Sequence, residues 1–388
     1  MATAPRTRRA ALDFSEREAY IDTVRYRNTG PVPLVTMGPR ESTIRAWTEQ
    51  GLPPGAPWLR TLLSDVGIPY PEGRCPRVDL GINLRMVPTF EEKVLEHRNG
   101  HYIVQDWMGN ITEISDAFDL TYLRSAKDFV TRKWHSFPVT DRASFKEMKR
   151  RYDPDEPTRF SSDFDERVRS IASRDWMYTV GISGPFWQLR EWCGFEPLCM
   201  LFLDDPAFVA EMVEFWSDFG AAMLDRILSR FVPDKLHMSE DMAYKGASMI
   251  SPAMAREFLL PVWKRWTAMA KQAGVPVVDM DSDGKVDELI PLWIEAGIEE
   301  CDPIEVAAGC DVVAYRDRFE RRIAYSGGID KRAMAAGGAV LDAEIDRIAP
   351  VVRGGGYIPG CDHGIPSDVS WANMHHFVRR WAEITGWA

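Results

Sequence analysis

Three aspartates follow a short apolar segment in the second half of the chain. Asp279, Asp281 and Asp283 stand at alternate positions after residues 275–278, and Gly284 comes directly after them. Alternate residues of a β-strand point to the same side, so the three carboxylates are predicted to face one another. Their mutual repulsion requires a cation, a cationic substrate or a proton, which predicts a site here. In the alternative, Asp283 caps the following helix and the other two aspartates face water.

A second polar cluster lies near the end of the chain, in the sequence Cys361-Asp362-His363-Gly364. Asp362 is expected to stabilise an imidazolium at His363 or to orient that ring for ligation. Carboxylates with a histidine suit a divalent metal, and they suit equally well a substrate whose polar groups need acceptors. Cys361 is either a soft ligand or an inert buried thiol.

These residues need elements that bring them together. A strand, a loop and a helix recur at least five times between residues 178 and 388, at intervals of roughly 35–50 residues. With one unit near residue 33 and others within 78–175, this pattern predicts an α/β fold, a (β/α)8 TIM barrel. An open doubly wound sheet is the alternative, although no GxGxxG segment supports a dinucleotide fold.

Two additions to the barrel are predicted. Residues 1–30 form an N-terminal arm and helix, and residues 31–388 form a single barrel domain. Residues 78–115 lack helical periodicity, and Asn99-Gly100 is a strong hairpin turn, so a β-hairpin excursion is expected there.

If the barrel is right, the carboxyl ends of its strands face one mouth. His237 lies inside a predicted strand and is expected to be a core histidine, whereas Asp302 and Glu305 are expected on a loop surface. The polar residues predicted at the strand ends are Arg40, Glu240, Asp241, Asp279, Asp281, Asp283, Asp302, Asp330, Cys361, Asp362 and His363.

Composition narrows the function classes. Of the 388 residues, 47 are basic and 58 acidic, which gives a net charge of −11 and argues against nucleic acid or an anionic membrane as the main partner. No apolar run is long enough to span a bilayer. The six cysteines show no CxxC spacing, and residues 1–9 lack the apolar core of a secretion signal, so a reduced, cytoplasmic setting is expected.

Several of these segments together resemble the uroporphyrinogen decarboxylase superfamily, which also includes corrinoid-linked methyltransferases. The segments that carry the resemblance are residues 237–245, 250–254, 278–284, 327–330 and 356–369. The resemblance is good over about 180–388 and looser over 30–150. It implies a TIM barrel with the site at its mouth and, from the decarboxylase branch, a homodimer.

The two branches of this superfamily make different demands on the sequence. Decarboxylases carry an arginine-rich RQAGRY-type loop after the first strand, and of that motif this chain keeps only Arg40, although His363-Gly364 matches a later HG. In the methyltransferases, zinc is held by an HxCG segment and a later cysteine. The corresponding residues here are Asp281 and Asp283, then His363, with Cys361 two residues earlier. The resemblance therefore implies a divalent-metal site with harder ligands, Zn first and Mn, Fe or Mg as alternatives.

The resemblance implies a metal-assisted methyltransferase (demethylase). Its substrate is a small methylated molecule, with an aromatic compound as one option, and a corrinoid protein or a thiol accepts the methyl group. The alternatives are a cofactor-free decarboxylase, in which Asp281 or Asp283 holds a substrate nitrogen and His363 protonates the carbanion, and a non-catalytic binding barrel. The catalytic candidates are Asp281, Asp283, His363 and Glu240. The substrate-binding candidates are Arg40, Asp241, Asp279, Tyr244, Trp107 and Trp187.

Overall fold

The computed structural model describes residues 14–27, 30–34, 37–69, 77–124, 128 and 130–388. The residues before 14, and part of the strand expected near 33–36, lie outside the described ranges. The first helices are α1 (Glu16–Val24), α2 (Glu41–Glu49) and α3 (Trp58–Asp65).

An antiparallel sheet of four strands follows these helices. Its strands are β1 (Lys93–Arg98), β2 (His101–Gln105), β3 (Ile111–Ser115) and β4 (Lys133–Ser136). Asn99 and Gly100 both have positive φ between β1 and β2, as the predicted hairpin turn requires. The excursion is larger than the sequence indicated, because β4 lies well beyond residue 115.

A parallel sheet of six strands forms the rest of the chain's core. After α4 (Arg142–Lys149) and α5 (Phe164–Ser170) come β5 (Thr179–Ser183), β6 (Lys235–Ser239), β7 (Val277–Asp281), β8 (Glu300–Asp302), β9 (Ala324–Ile329) and β10 (Tyr357–Cys361). The helices that alternate with them are α6 (Pro185–Cys193), α7 (Phe195–Asp204), α8 (Pro206–Leu228), α9 (Leu260–Gln272), α10 (Ile290–Ala296), α11 (Val312–Phe319), α12 (Lys331–Ala336), α13 (Gly338–Arg353) and α14 (Trp371–Thr385).

The order of these six strands identifies the fold. Neighbours in the sheet are neighbours in the chain from β5 to β10, and every pair is parallel. A doubly wound sheet reverses its strand order at a switch point, and this sheet does not. Pro39 also forms a parallel bridge with Ile365, which places the turn before α2 beside the segment that follows β10. The chain has the α/β TIM-barrel fold that its sequence predicted.

The register of the strands makes the barrel interior polar. His237, Asp279 and Glu300 are aligned at one level of β6, β7 and β8, and Ser239, Asp281 and Asp302 are aligned two residues further on. Aligned residues of parallel strands share a side of the sheet. The alternating residues, including Met238, Met280 and Cys301, pack in the large apolar core instead.

Helix α1 closes the amino-terminal end of the barrel. Its Tyr20, Ile21 and Val24 pack against Val277, Ala324 and Ile358, which lie at or near the starts of their strands. The hydroxyl of Tyr20 donates to Glu300 at 2.8 Å and accepts from Lys235 Nζ at 2.9 Å. The part of the N-terminal extension that the structure describes is therefore the floor of the barrel.

Within the described ranges, no helix is long and apolar enough to cross a membrane.

Candidate active site

The most closely spaced polar cluster lies inside the barrel, on β6, β7 and β8. His237 Nδ1 lies 2.8 Å from Asp279 Oδ2, and Lys235 Nζ lies 2.8 Å from the same oxygen. His237, Asp279 and Asp302 each offer one potential ligand atom, and these atoms lie within 4.8 Å of one another. A candidate metal centre is therefore formed by His237, Asp279 and Asp302. The sequence had predicted His237 in the core and Asp302 on a loop surface.

The charges in this cluster are strongly coupled. Burial raises the pKa of Asp302 well above its usual range, and the charge of Asp279 adds to this effect. Burial opposes ionisation of Asp279 too, but His237 and Lys235 outweigh it and lower the pKa of Asp279 to about 2. Burial also opposes a charged His237, yet Asp279 raises the pKa of this ring to about 9. His237 and Asp279 thus form an ion pair at neutral pH, and a bound metal would displace the ring proton of His237.

Two carboxylate oxygens of the cluster have no donor. Asp279 Oδ1 and Asp302 Oδ1 are buried and accept no hydrogen bond from any described residue. A buried polar atom left without a partner costs roughly 1–3 kcal/mol, so such atoms are normally satisfied by water or an ion. Two carboxylates and an imidazole are ligands that divalent cations such as Zn²⁺ or Mn²⁺ accept. The residues present therefore fit a hard or borderline divalent metal.

The aspartate loop and the histidine near the end of the chain meet above this cluster, at the mouth. His363 Nε2 lies 3.4 Å from Asp283 Oδ2. The hydrogen bond and charge of Asp283 raise the pKa of His363. Burial, together with the nearby carboxylates of Asp283 and Asp279, raises the pKa of Asp281 to about 6. The predicted proximity of Asp283 and His363 is present in the structure.

Asp241 forms a further wall of the mouth. Its carboxylate is held by Arg190 at 2.7 Å, and the guanidinium of Arg190 lies 4.4 Å from the centre of the Trp187 ring. Burial raises the pKa of Asp241, and the charge of Asp283 contributes to the increase. Asp241 and Trp187, both predicted to bind substrate, are thus connected through one arginine.

Gly284 allows the aspartate loop to pack against the loop after β6. Its φ of +85° favours glycine, and a Cβ added there would lie 2.5 Å from the carbonyl carbon of Ala243. The amide of Lys285 donates to the carbonyl of Tyr244 at 2.9 Å, which fixes the same contact. The Tyr244 side chain is 56% exposed at this rim.

Arg40, predicted to bind substrate, lies beside His363. It precedes α2, and a Cβ added at Gly364 would lie 3.0 Å from Arg40 Nε. The charge of Arg40 opposes protonation of His363, although the effect of Asp283 on the pKa of His363 is larger. A hollow of about 460 Å³ lies here, lined in part by Arg40, Ile44 and Gly364.

Cys361, predicted as a metal ligand, is not part of the three-ligand cluster that the described residues form. On β10, Cys361 alternates with Ile358 and Gly360, and its side chain packs in the core between barrel and helices. Burial raises the pKa of this thiol to about 12. Among the residues that the structure describes, Asp281, Asp283 and His363 also do not form a three-ligand set within 4.8 Å.

Glu240, expected to be catalytic, instead anchors the start of α6. It has no exposed surface, accepts from Trp263 Nε1 at 2.5 Å and accepts from the backbone N–H of Trp187 at 3.1 Å. A Cβ on Gly184 would lie 2.1 Å from the Glu240 carboxyl carbon, so only glycine leaves room for it. Burial raises the pKa of Glu240 to about 7. The structure thus places Glu240 in a buried, structural position, and its predicted catalytic role stays a prediction.

Two other residues with predicted roles are also fully buried and paired. Asp279, expected to bind substrate, is fully buried and holds His237 and Lys235 instead. Asp362, expected to orient His363, is fully buried and accepts from the backbone N–H groups of Val306 at 3.0 Å and Lys331 at 3.2 Å. Asp362 therefore positions the loops that follow β8 and β9.

A cavity of about 820 Å³ opens between the barrel and the antiparallel sheet. Its barrel side includes Ser183, Trp187 and Ser239, and its outer side includes Trp107. Ser239 Oγ lies 3.2 Å from His237 Nε2, so the cavity reaches the interior cluster. The arginines that line it, at positions 85, 124 and 132, were missed from sequence because no local pattern distinguishes them from surface arginines.

Comparisons with known proteins agree with the barrel fold. The sequence model of the uroporphyrinogen decarboxylase (URO-D) family matches residues 135–384, more than half of the chain. A uroporphyrinogen decarboxylase of Sphingopyxis alaskensis is 27% identical over 113 residues, which are 29% of this chain and only 25% of that relative. A methyltransferase from Methanosarcina mazei has a similar fold, with a TM-score of 0.52 and 12% identity over 96% of this chain and 99% of that one.

Proposed function

Because the chain belongs to the uroporphyrinogen decarboxylase family, we propose that it is an enzyme whose reaction takes place at the barrel mouth. The reaction is metal-assisted methyl transfer from a small methylated substrate to a corrinoid protein or a thiol. The observation that carries this proposal is the pair of buried, donor-free oxygens on Asp279 and Asp302 beside His237. The similarity in fold to a protein described as a methyltransferase is consistent with it.

His237, Asp279 and Asp302 would hold the metal. Lys235 and Tyr20 keep this set in place from below, because Lys235 Nζ contacts both Asp279 and Tyr20. A divalent cation bound here supplies Lewis-acid polarisation of a substrate heteroatom. Asp281, aligned with Asp302 on the next strand, places a further carboxylate on the substrate side of the set.

His363 and Asp283 have the complementary role in this proposal. A heteroatom that loses its methyl group gains a pair of electrons and needs a proton. The imidazolium of His363, held by Asp283 at 3.4 Å, is the donor that the mouth offers. Arg190, stacked on Trp187 and paired with Asp241, forms one side of the mouth.

Metal analysis of the purified full chain tests this proposal. Wild-type protein dialysed with Zn²⁺ or Mn²⁺ and then washed is expected to retain about one equivalent, whereas Asp302→Asn should bind at least about ten-fold more weakly. Asp330→Asn is the matched control, since Asp330 follows β9 at the same end of the barrel and pairs with Arg332. Unfolding midpoints confirm that both variants are folded. Equal metal content in the wild type and Asp302→Asn contradicts the proposed ligand set.

Decarboxylation is the second candidate, and it is supported by a specific observation. The pKa of Asp281 is raised to about 6 and that of His363 is raised too, so both can carry protons at the mouth. Release of CO2 from a carboxylated substrate by metal-free protein, abolished in His363→Gln, would favour this reaction. A barrel that binds without turnover would release neither CO2 nor methyl groups. Homodimer formation and a cytoplasmic location remain parts of the proposal.

A further inference from the structure

The 820 Å³ cavity has walls from two different parts of the chain. Gly181, Ser183 and Ser239 come from β5 and β6. The opposite wall is formed by residues 81–86 together with Trp107, Met108, Leu123, Arg124, Arg132 and Trp134. All of the second wall precedes residue 135, where the family match begins. The antiparallel excursion thus adds to the barrel a surface that the shared family region does not supply.

Two arginines of this wall stack on tryptophans. The guanidinium carbon of Arg85 lies 5.2 Å from the centre of the Trp107 ring, and that of Arg132 lies 5.7 Å from the centre of the Trp134 ring. An arginine held by its face against an aromatic ring keeps the N–H groups along its edge for planar acceptors. Arg132 Nη2 donates one long bond, 3.4 Å, to the carbonyl of Tyr122.

The charges of these two arginines are not matched by ion pairs. Within the described part of the chain, no carboxylate lies within ion-pair distance of Arg85 or Arg132, whereas Arg124, the third arginine of the cavity, pairs with Glu92. Glu191 is the acidic residue in the lining, so three arginines face one carboxylate there, and the charges of Glu191 and the buried Asp106 act on Arg132. A chain of net charge −11 thus has a locally cationic cavity.

We propose that this cavity binds the substrate and that the substrate is a planar aromatic acid. Its carboxylate is held at the edges of Arg85 and Arg132, and its ring lies against the tryptophans of the wall. The rest of the molecule extends toward Ser239 and His237, which links the cavity to the interior cluster. The identity of the reacting group rests on the proposed function. The binding of the acid in the cavity does not depend on it.

Three properties of the cavity support this substrate class. A guanidinium edge matches a carboxylate by two parallel hydrogen bonds, which distinguishes an acid from its neutral amide. Trp107, Trp134 and Trp187 line the cavity and offer flat apolar faces. The cavity volume lies in the range of small-molecule sites.

Direct binding of a matched pair of probes tests the inference without turnover. The probes are 4-methoxybenzoate and its neutral analogue 4-methoxybenzamide, measured by titration calorimetry with the full chain. Wild-type protein is expected to bind the acid at least about ten-fold more tightly than the amide. Arg85→Met and Arg132→Met should each weaken binding of the acid by about ten-fold and leave binding of the amide unchanged.

Two controls make the result decisive. Arg169→Met removes an exposed arginine of α5 that is not in the cavity lining, and it should preserve the preference for the acid. Asp302→Asn should bind the acid as the wild type does even if it loses metal and activity, so failure of the methyl-transfer proposal is distinguishable. Equal binding of acid and amide by the wild type overturns the inference. So does an unchanged preference in the folded double variant Arg85→Met/Arg132→Met.

Discussion

His363 Nε2 lies 3.4 Å from Asp283 Oδ2, and this contact joins the loop after β7 to the loop after β10. The two residues are far apart in the chain and close in space because parallel strands of a barrel end at one rim. The mouth is therefore assembled by the fold. The interior cluster of His237, Asp279 and Asp302 lies on the strands beneath it.

The effect of Asp283 on His363 is the first testable consequence. Because the hydrogen bond and charge of Asp283 raise the pKa of His363, Asp283→Asn should lower that pKa, and any activity that needs the imidazolium should be lost at a lower pH. NMR titration of the His363 ring measures the change directly, with Asp330→Asn as control. An unchanged pKa in Asp283→Asn shows that the pair is not coupled in solution.

Replacement of the catalytic candidate itself should affect turnover rather than folding. His363→Gln removes the proton donor at the mouth, and general acid catalysis contributes typically about 10²–10⁴-fold in rate. We expect a loss of kcat of that order with an unfolding midpoint close to that of the wild type. Full activity in this variant excludes His363 as the donor.

Cys361 provides a negative prediction about the metal. Cys361→Ala should retain the full metal content, because the thiol packs in the core and its pKa is raised to about 12. Loss of one buried sulfur should destabilise the protein by about 1 kcal/mol. Metal analysis and denaturant unfolding measure the two effects. Loss of metal from a folded Cys361→Ala variant would restore the cysteine to the ligand set.

Glu240 makes stability depend on pH. Its folded-state pKa of about 7 lies above the ordinary glutamate value near 4.5, so the folded state binds the proton more tightly than the unfolded state. The free energy of unfolding should therefore fall as pH rises from about 4.5 to 7 and then level off, by about 3 kcal/mol in total from this group. Glu240→Gln keeps an acceptor for Trp263 and should flatten this dependence, as urea unfolding between pH 5 and 8 can measure. An equally steep fall in the variant would assign the effect to another group.

Gly284 and Gly274 form a matched pair for the packing of the aspartate loop. Both have positive φ, +85° and +89°, but a Cβ at 274 meets nothing within 4 Å, whereas one at 284 meets the backbone of Ala243. Alanine at either position costs about 1–2 kcal/mol for the left-handed conformation. Gly284→Ala should cost about 1–3 kcal/mol more because of the clash. Equal losses of unfolding free energy in the two variants would contradict the packing described here.

The sequence predicted the features that depend on local periodicity. The repeat of strand and helix indicated the barrel, and the alternation of Asp279, Asp281 and Asp283 indicated that they share a side. The alternation along β10 also indicated that Cys361 and Gly360 point to opposite sides of the strand. The family resemblance nevertheless favoured Cys361 as a metal ligand.

Other features depend on contacts between distant segments. The cluster of His237, Asp279 and Asp302 requires the register of three strands, which no single segment encodes. The role of Glu240 depends on the space that Gly184 leaves in another βα unit. The arginines at positions 85 and 132 line a cavity only because the excursion folds against the barrel.

Anomalous X-ray diffraction from crystals of the full chain grown with Mn²⁺ or Zn²⁺ locates any metal bound inside the barrel. We expect one strong anomalous peak in contact with His237, Asp279 and Asp302, and none at the Cys361 sulfur. A barrel interior without a peak, or a peak bound only by Asp281, Asp283 and His363, would contradict this expectation.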